Sequence, residues 1–344
     1  MAPPFYVGAV TRLIAQLDAA YAKMRPTKVF SRLVSHVFFQ GRPLVSKGQW
    51  LNHPLSVMLR LATKGPQFCP VRKPIFIIGT GRSGTTILGK VLSMHRDVGF
   101  LNEPKLLWHI VFPYEDIIGS YTRRPAHYRL DERHATSDVH QAAARLYGLY
   151  LATTGSRRVL DKYPAMIFRS DFVQAIFENP VFLFLVRHGW DTIHSIASWS
   201  HRNRVVKDGE THDWWGRDDR KWRLLVNQII LPNPVFDEIH SDVRSLSRDI
   251  DKAAVEWIAT MREGLRLLET IPEQVHLIRY EDITAHPRQA LKAIVDLCEL
   301  PPDDKLLAYA QAVLKPTWHR ERPDLCPFLE PLFEETLSSL GYAS

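Results

Sequence analysis

The feature that most constrains the fold of this chain is residues 75–88, IFIIGTGRSGTTIL. The apolar start predicts a buried strand, and the glycine-rich turn after it opens a helix whose first residues carry hydroxyl groups. Such a turn directs backbone N–H groups and the positive end of the helix dipole towards one point. The segment therefore predicts an anion site, most often one for phosphate.

The turn differs from the Walker A loop of nucleotide hydrolases. Gly79 and Gly84 have the spacing of G-x-x-x-x-G-K-[ST], but Thr85 stands where those loops have lysine, and the loop carries Arg82 instead. This favours nucleotide binding with a different leaving chemistry, and a generic phosphate-binding turn is the alternative. A hydrolase nucleophile elbow is excluded, because G-x-S-x-G would need glycine at position 85.

A second anion site is predicted near residues 181–195. The apolar strand 181–186 ends at Arg187, and a helical pattern that contains Ser195 follows. Open α/β sheets bind ligands at the carboxyl ends of their strands. Arg187 can offer a phosphate two parallel donors, and Ser195 can add a hydroxyl. Taken alone, Ser195 is better explained as a solvated helix residue.

The loop GTGRSGTT resembles the 5′-phosphosulfate loop of sulfotransferases that use 3′-phosphoadenosine 5′-phosphosulfate (PAPS), in the RSGTT form of the membrane-enzyme, bacterial and tyrosylprotein sulfotransferase branches. The resemblance covers roughly residues 74–300. It implies a P-loop-like, doubly wound parallel α/β sheet flanked by helices. It also implies that Arg187 and Ser195 hold the 3′-phosphate. The other residues that it assigns to the cofactor are Gly81, Arg82, Ser83, Gly84, Thr85, Thr86 and, in the RYED segment, Tyr280.

The same resemblance implies the catalytic groups. Glu103 lies 21 residues beyond Arg82, as the general base does in tyrosylprotein sulfotransferases, and Lys162 stands in a Lys-x-Pro segment whose lysine stabilises the transferring sulfuryl group. Glu103 could instead be a helix cap or surface carboxylate, and Lys162 an ordinary exposed lysine. The glycine-rich basic segment that closes the site in soluble members is missing, and Lys315 or Arg320 could replace it.

Charge divides the chain into two predicted parts. The net charge is +7, yet residues 1–73 hold 11 Lys and Arg against one acid, Asp18. We predict a basic helical N-terminal extension over residues 1–72 and a sulfotransferase-like α/β domain over residues 73–344. Basic amphipathic helices favour peripheral contact with an anionic membrane, and packing on the domain or a homodimer contact is the alternative. The apolar positions are Val10, Leu13, Ile14, Leu17, Tyr21, Met24, Val29, Phe30, Leu33, Val34, Val37 and Phe38.

Other features of the sequence mainly exclude classes of protein and of site. No apolar run reaches the roughly 18 residues of a membrane span, and the N-terminus lacks a signal-peptide pattern, so we expect a cytoplasmic protein. Cys69, Cys298 and Cys326 fit neither a disulfide frame nor a zinc site, and Cys298 has the pattern of a core residue. We expect no metal. The tryptophan-rich stretch 212–222 predicts a lid over the acceptor, or else a helix packed on the core.

Together these features predict a PAPS-dependent sulfotransferase with Glu103, Arg82 and Lys162 as catalytic residues. The acceptor would be a hydroxyl, or alternatively an amine, of a small molecule, glycan, lipid or peptide. A P-loop kinase or NTPase is the alternative enzyme, and Thr85 and the missing Walker B pattern argue against it. A non-catalytic nucleotide- or nucleic-acid-binding protein is the other alternative. Because no nucleic-acid-binding module is recognised, we expect no nucleic acid partner.

Overall fold

The computed structural model describes residues 17–316 and 320–342, and a five-stranded parallel sheet lies at its centre. The strand order across this sheet is β2-β3-β1-β4-β8, which confirms the predicted doubly wound architecture. Strands β5 to β7 form a small antiparallel sheet that the sequence did not predict. In the described residues the strands are β1 (Ile75–Gly79), β2 (Val98–Asn102), β3 (Arg158–Lys162), β4 (Val181–Val186), β5 (Val205–Lys207), β6 (Glu210–Asp213), β7 (Gly216–Arg217) and β8 (Val275–Arg279).

Helices surround the sheet. Over the same residues the α-helices are α1 (Ala19–Met24), α2 (Pro26–Val34), α3 (Asn52–Ala62), α4 (Thr85–Leu92), α5 (Lys105–Val111), α6 (Ser137–Thr154), α7 (Ser170–Ile176), α8 (Gly189–Asn203), α9 (Arg220–Leu225), α10 (Asp249–Thr270), α11 (Tyr280–Ala285), α12 (Pro287–Leu297), α13 (Asp304–Val313) and α14 (Glu330–Ser339). The π-helical turns are Ser35–Phe39 and Val226–Ile230, and the 3-10 turns are Gln49–Leu51, Pro113–Glu115, Glu132–His134, Pro164–Arg169, Pro234–Ile239, Val243–Ser245 and Pro327–Leu329.

Both faces of the sheet are buried, which explains why its strands are continuous apolar runs. Along β1, Phe76 and Ile78 belong to one core layer together with α5 to α8 and α10. Ile75 and Ile77 belong to the opposite layer, which α4, α12 and α13 complete. Cys298 is buried in this second layer, as its pattern predicted.

The described part of the predicted N-terminal extension packs on the α/β domain. Leu17 and Tyr21 are buried in the second core layer, and the Tyr21 hydroxyl donates to the carbonyl of Ser93 at 3.1 Å. Leu17 and Tyr21 therefore fit the alternative prediction, in which the extension packs on the domain, and not that of a membrane arm. Val10, Leu13 and Ile14 lie outside the described residues, and the division of the chain at residue 72 stays a prediction.

Helix α2 covers the outer edge of the sheet, where β2 is the edge strand. The Lys28 ammonium donates to the Val98 carbonyl at 2.7 Å, and the Arg32 guanidinium donates to the Phe100 carbonyl. Residues i and i+4 of a helix lie about 6 Å apart along its axis, close to the spacing of residues i and i+2 in a strand, so the two side chains match alternate carbonyls. Both are buried, and they are therefore unavailable to a membrane surface.

Exposed apolar side chains are nevertheless concentrated in this segment. Those between residues 30 and 68 are Phe30, Phe38, Trp50, Val57, Leu61 and Phe68. None of the helices in the described residues has the length and apolar character needed to cross a membrane. Peripheral contact with an anionic membrane stays a prediction.

Candidate functional site

The loop between β1 and α4 is shaped by two left-handed residues. Arg82 and Gly84 have φ of 72° and 97°, and the Ser83 hydroxyl donates to the Thr80 carbonyl at 2.5 Å inside the turn. Thr85 and Thr86 then begin α4, so the first backbone N–H groups of that helix emerge at the loop. Thr85 is buried, whereas Thr86 is exposed. This geometry suits an anion, as the sequence predicted.

Aromatic rings pack closely against two loop glycines. A Cβ at Gly81 would come within 2.5 Å of the Trp214 ring, and one at Gly84 would overlap the Tyr280 ring. Any larger residue would push these rings away. The glycines are therefore needed both for the turn and for the close approach of Trp214 and Tyr280.

The structure brings the second predicted anion site next to the loop. Arg82 Nε donates to Ser195 Oγ at 3.2 Å, and the Arg187 guanidinium lies 4.7 Å from the centre of the Tyr280 ring. Arg187 also pairs with Asp191 at 3.5 Å, while its buried Nε has no hydrogen-bond partner among the described residues. Residues from the ends of β1, β4 and β8 thus meet at one edge of the sheet. Such a set fits a ligand with two anionic groups.

Glu103 and Lys162 form an ion pair because β2 and β3 are neighbours. Lys162 Nζ lies 2.6 Å from Glu103 Oε1, and Lys105 Nζ lies 3.1 Å from Oε2. The Glu103 backbone, with φ of 49°, donates to the Lys162 carbonyl at 2.7 Å. Burial acts to raise the pKa of the Glu103 carboxyl, but the two lysines outweigh it and hold this pKa well below its ordinary value. Burial also lowers the pKa of Lys162, against the opposing effect of Glu103.

A cavity of about 220 Å³ joins the loop to the ion pair. Its polar floor includes Arg82, Thr86 and Glu103. Its remaining wall is largely aromatic and apolar, a composition typical of small-molecule sites. The large apolar side chains of this wall are Leu44, Val45, Ile117, Ile118, Tyr128, Tyr163, Phe168, Trp199 and Trp214.

The tryptophan-rich stretch 212–222 lies partly on this cavity and partly in the core. Trp214 lines the cavity, and its Nε1 donates to Glu256 at 2.6 Å. Lys221 Nζ pairs with the same Glu256 at 2.5 Å and lies over the Trp214 ring. Trp215 and Trp222 are buried in the main core. Part of the stretch thus lies at the cavity, as a lid over the acceptor would, and part is packed on the core. The action of the stretch as a lid stays a prediction.

Sequence reasoning missed several residues of this site. Lys105 pairs with Glu103, which precedes it by two residues. The short separation of these two opposite charges in the sequence was the available signal. Glu256 comes from the middle of α10, where no local pattern marks it. Of the two C-terminal candidates, the Arg320 backbone donates to Asp191 at 2.7 Å, whereas Lys315 Nζ lies 3.5 Å from the carbonyl of Gln311. Arg320 is thus the one with a contact beside Arg187.

One protein-family model matches part of this chain. Residues 74–230, which include the loop, Glu103, Lys162, Arg187 and Ser195, match the profile of the sulfotransferase family. The match ends before α10, so Glu256 and Tyr280 lie outside it.

The individual relatives of this chain are distant. A protein-tyrosine sulfotransferase of Drosophila melanogaster is 24% identical over 245 residues, 70% of this chain and 41% of that protein. Protein-tyrosine sulfotransferase 2 of Gallus gallus is 23% identical over 245 residues, 70% of this chain and 55% of that protein. The match thus spans about half of the length of these relatives. The crystal structure of sulfotransferase STF9 from Mycobacterium avium, 14% identical, covers 98% of this chain and 97% of its own with a TM-score of 0.50 and shows the fold.

No group of three or more His, Cys, Asp or Glu residues that could hold a metal ion occurs within the described part of the chain. Cys69, Cys298 and Cys326 are free thiols.

Proposed function

We propose that this chain transfers a sulfuryl group from PAPS to a hydroxyl of an acceptor and releases adenosine 3′,5′-bisphosphate (PAP). The observation that carries the proposal is the hydrogen bond from Arg82 to Ser195, which joins the loop to the Arg187 site. PAPS has a phosphosulfate at one end and a 3′-phosphate on its ribose, so it needs two neighbouring anion sites. A nucleotide without a 3′-phosphate would leave Arg187 unused.

The residues of the site supply what such a donor requires. Loop N–H groups and Arg82 would hold the 5′-phosphosulfate, Arg187 and Ser195 the 3′-phosphate, and the Tyr280 ring would border the nucleotide. The buried Arg187 Nε, which has no acceptor among the described residues, offers one donor for that phosphate. Trp214 and Tyr280 would exclude water from the loop, because they lie against its glycines.

Transfer requires one bond to form and another to break. The acceptor oxygen forms a bond to sulfur as the bond between sulfur and the bridging phosphate oxygen breaks, and the Glu103 carboxylate takes the acceptor proton. Lys162 and Arg82 would stabilise the negative charge that gathers on the bridging oxygen as PAP leaves. The lysines keep Glu103 ionised before the acceptor binds.

Calorimetry with PAP, AMP and ATP tests the proposal. We expect PAP to bind more tightly than AMP by about tenfold or more, since a charged bidentate contact is worth about 1.5–3 kcal/mol. ATP should bind no better than AMP. A preference for ATP with Mg²⁺ would instead indicate a P-loop kinase or NTPase and overturn the proposal, as would equal affinities for PAP and AMP.

A further inference from the structure

A second cavity, of about 390 Å³, adjoins the same carboxylate. It shares Pro43, Thr86, Glu103 and Lys105 with the first cavity. Much of its wall comes from residues 36–47, which precede the stretch that matches the sulfotransferase family. The family match therefore assigns nothing to this part of the site.

The second cavity is strongly basic. Arg42, Lys47, Lys105 and Lys162 line it, and Glu103 is the one carboxylate among its lining residues. Glu103 already holds Lys105 and Lys162. Neither Arg42 nor Lys47 forms an ion pair with any described carboxylate. Two positive charges at the cavity thus remain without a counter-charge in the described chain.

Arg42 is fixed in place. Its Nη1 donates to the carbonyls of His36 and Gly41, both at 2.9 Å, and its backbone N–H donates to Asn52 at 2.7 Å. Gly41 has φ of 74°, and a Cβ there would lie 2.5 Å from the Cβ of Leu106. A cation held this firmly has lost little further freedom when a ligand arrives, which favours binding.

A buried amide on the same wall lacks a partner. Gln40 is 5% exposed and lines the second cavity, and no described residue accepts a hydrogen bond from its Nε2. A buried donor without an acceptor destabilises the folded protein. The oxygen of an anionic ligand would satisfy this donor and pair with Arg42 at the same time.

We propose that the second cavity binds an anionic group, a phosphate, sulfate or carboxylate, of the acceptor whose hydroxyl reaches Glu103. The inference rests on the proposed function, since it names the class of acceptor for that reaction. Gln40 and Arg42 hold the anion, and Lys47 adds long-range attraction from the rim, where it is exposed. The first cavity then receives the apolar part of the molecule.

The test uses inorganic phosphate as the probe and the full chain saturated with PAP, so that the loop and the Arg187 site are occupied. Calorimetry should show one further phosphate site. In Arg42→Gln/Lys47→Gln this phosphate affinity should fall about tenfold or more, as expected for lost charged contacts, while PAP affinity is kept. Arg72→Gln, which removes an exposed charge from the same segment, should change neither affinity.

Position and folding are controlled separately. Crystals of the PAP complex soaked in tungstate should show an anomalous peak between Gln40 and Arg42. The variant Gln40→Met keeps the side-chain volume but removes the amide. It should bind phosphate more weakly and PAP as tightly as the wild type does. Absence of phosphate binding in the PAP complex, equal binding by the double variant, or a peak confined to Thr86 and Lys162 would overturn the inference. If PAP itself fails to bind, the proposed function fails. Phosphate titrated alone then still shows whether one site is lost in the variants.

Discussion

Lys162 Nζ lies 2.6 Å from Glu103 Oε1 in an asymmetric ion pair, because the lysine side chain is 1% exposed and the glutamate side chain is 38% exposed. The carboxylate is therefore the more accessible member of the pair, although Lys162 also lines the second cavity. An acceptor can reach Glu103 without displacing Lys162. The pair holds both groups charged and positioned before any substrate arrives.

Replacement of Glu103 by glutamine should remove the proposed base without removing the cofactor site. We expect Glu103→Gln to lower turnover by about 10²–10⁴, the usual contribution of a positioned general base, and to keep PAP affinity. Turnover with labelled PAPS and calorimetry with PAP measure the two effects. The matched control is Glu299→Gln, an exposed carboxylate paired with Lys73, which should stay fully active. If Glu103→Gln keeps most of its activity, the base lies elsewhere, and His188 is the next residue to test.

The pH dependence of kcat/KM should report the lysines around Glu103. Because they hold the pKa of Glu103 well below 4.5, the base stays ionised and activity should persist as the pH falls towards that value. In Lys105→Met one favourable charge is lost, so the acid limb should move upward in pH. A limb that stays in place would show that Lys105 does not act on the titrating group. Circular dichroism at each pH separates this effect from unfolding.

Loss of Arg187 should discriminate between two nucleotides. Arg187→Ala removes the guanidinium proposed for the 3′-phosphate, so PAP should bind about tenfold or more weakly while AMP binds nearly as before. Calorimetry with both ligands measures the difference. Equal losses for PAP and AMP would place Arg187 outside the 3′-phosphate site.

Gly84 should be irreplaceable for steric reasons beyond its backbone angle. Gly84→Ala combines a φ of 97° with overlap against the Tyr280 ring, whereas Gly155→Ala has a φ of 62° and no atom within 4 Å. Both should lose about 1–2 kcal/mol of stability from the left-handed backbone. Gly84→Ala should lose more stability than Gly155→Ala and should also bind PAP more weakly. Denaturant unfolding and calorimetry compare them, and equal behaviour of the two variants contradicts the packing of Tyr280 on the loop.

We propose that the exposed apolar side chains of residues 30–68 contact an anionic membrane, and point variants can test this. Removal of the whole extension would also remove the buried Tyr21 and Arg32, so its effect on vesicles could not be separated from unfolding. Trp50→Gln/Leu61→Gln should instead leave folding and PAP binding intact but reduce sedimentation with phosphatidylglycerol vesicles. Wild-type binding should weaken as salt rises, because salt screens Lys and Arg attraction. Equal sedimentation of variant and wild type contradicts the proposal.

Much of the fold could be predicted because its signals are local. The strand at residues 75–79, its turn and the hydroxyl-bearing helix start are contiguous, and continuous apolar runs identify buried strands of a parallel sheet. Three of the sheet's connections follow the same alternation of strand and helix. The antiparallel strands β5 to β7 were missed because Val205–Lys207 is a short, wholly exposed strand without apolar alternation.

The site could be predicted where one element carries its residues, and less well where distant elements meet. Arg187 follows a strand and Ser195 lies on the next helix, so their separation in the sequence already predicts that they are close in the fold. Glu256 meets Trp214 across 42 residues, and Gln40 and Arg42 enter the site from a segment whose charge had suggested a membrane arm. Net charge does not distinguish a lysine on the surface from one that donates to a buried carbonyl.

The contacts of Lys28 and Arg32 with β2 have a consequence for self-association. A parallel edge strand with free carbonyls is a template on which another chain can add a strand, and proteins avoid this by covering or charging such edges. In this chain helix α2 does both at once, with two cations placed on alternate carbonyls. The N-terminal segment thus prevents a strand of another chain from adding to the sheet at its β2 edge.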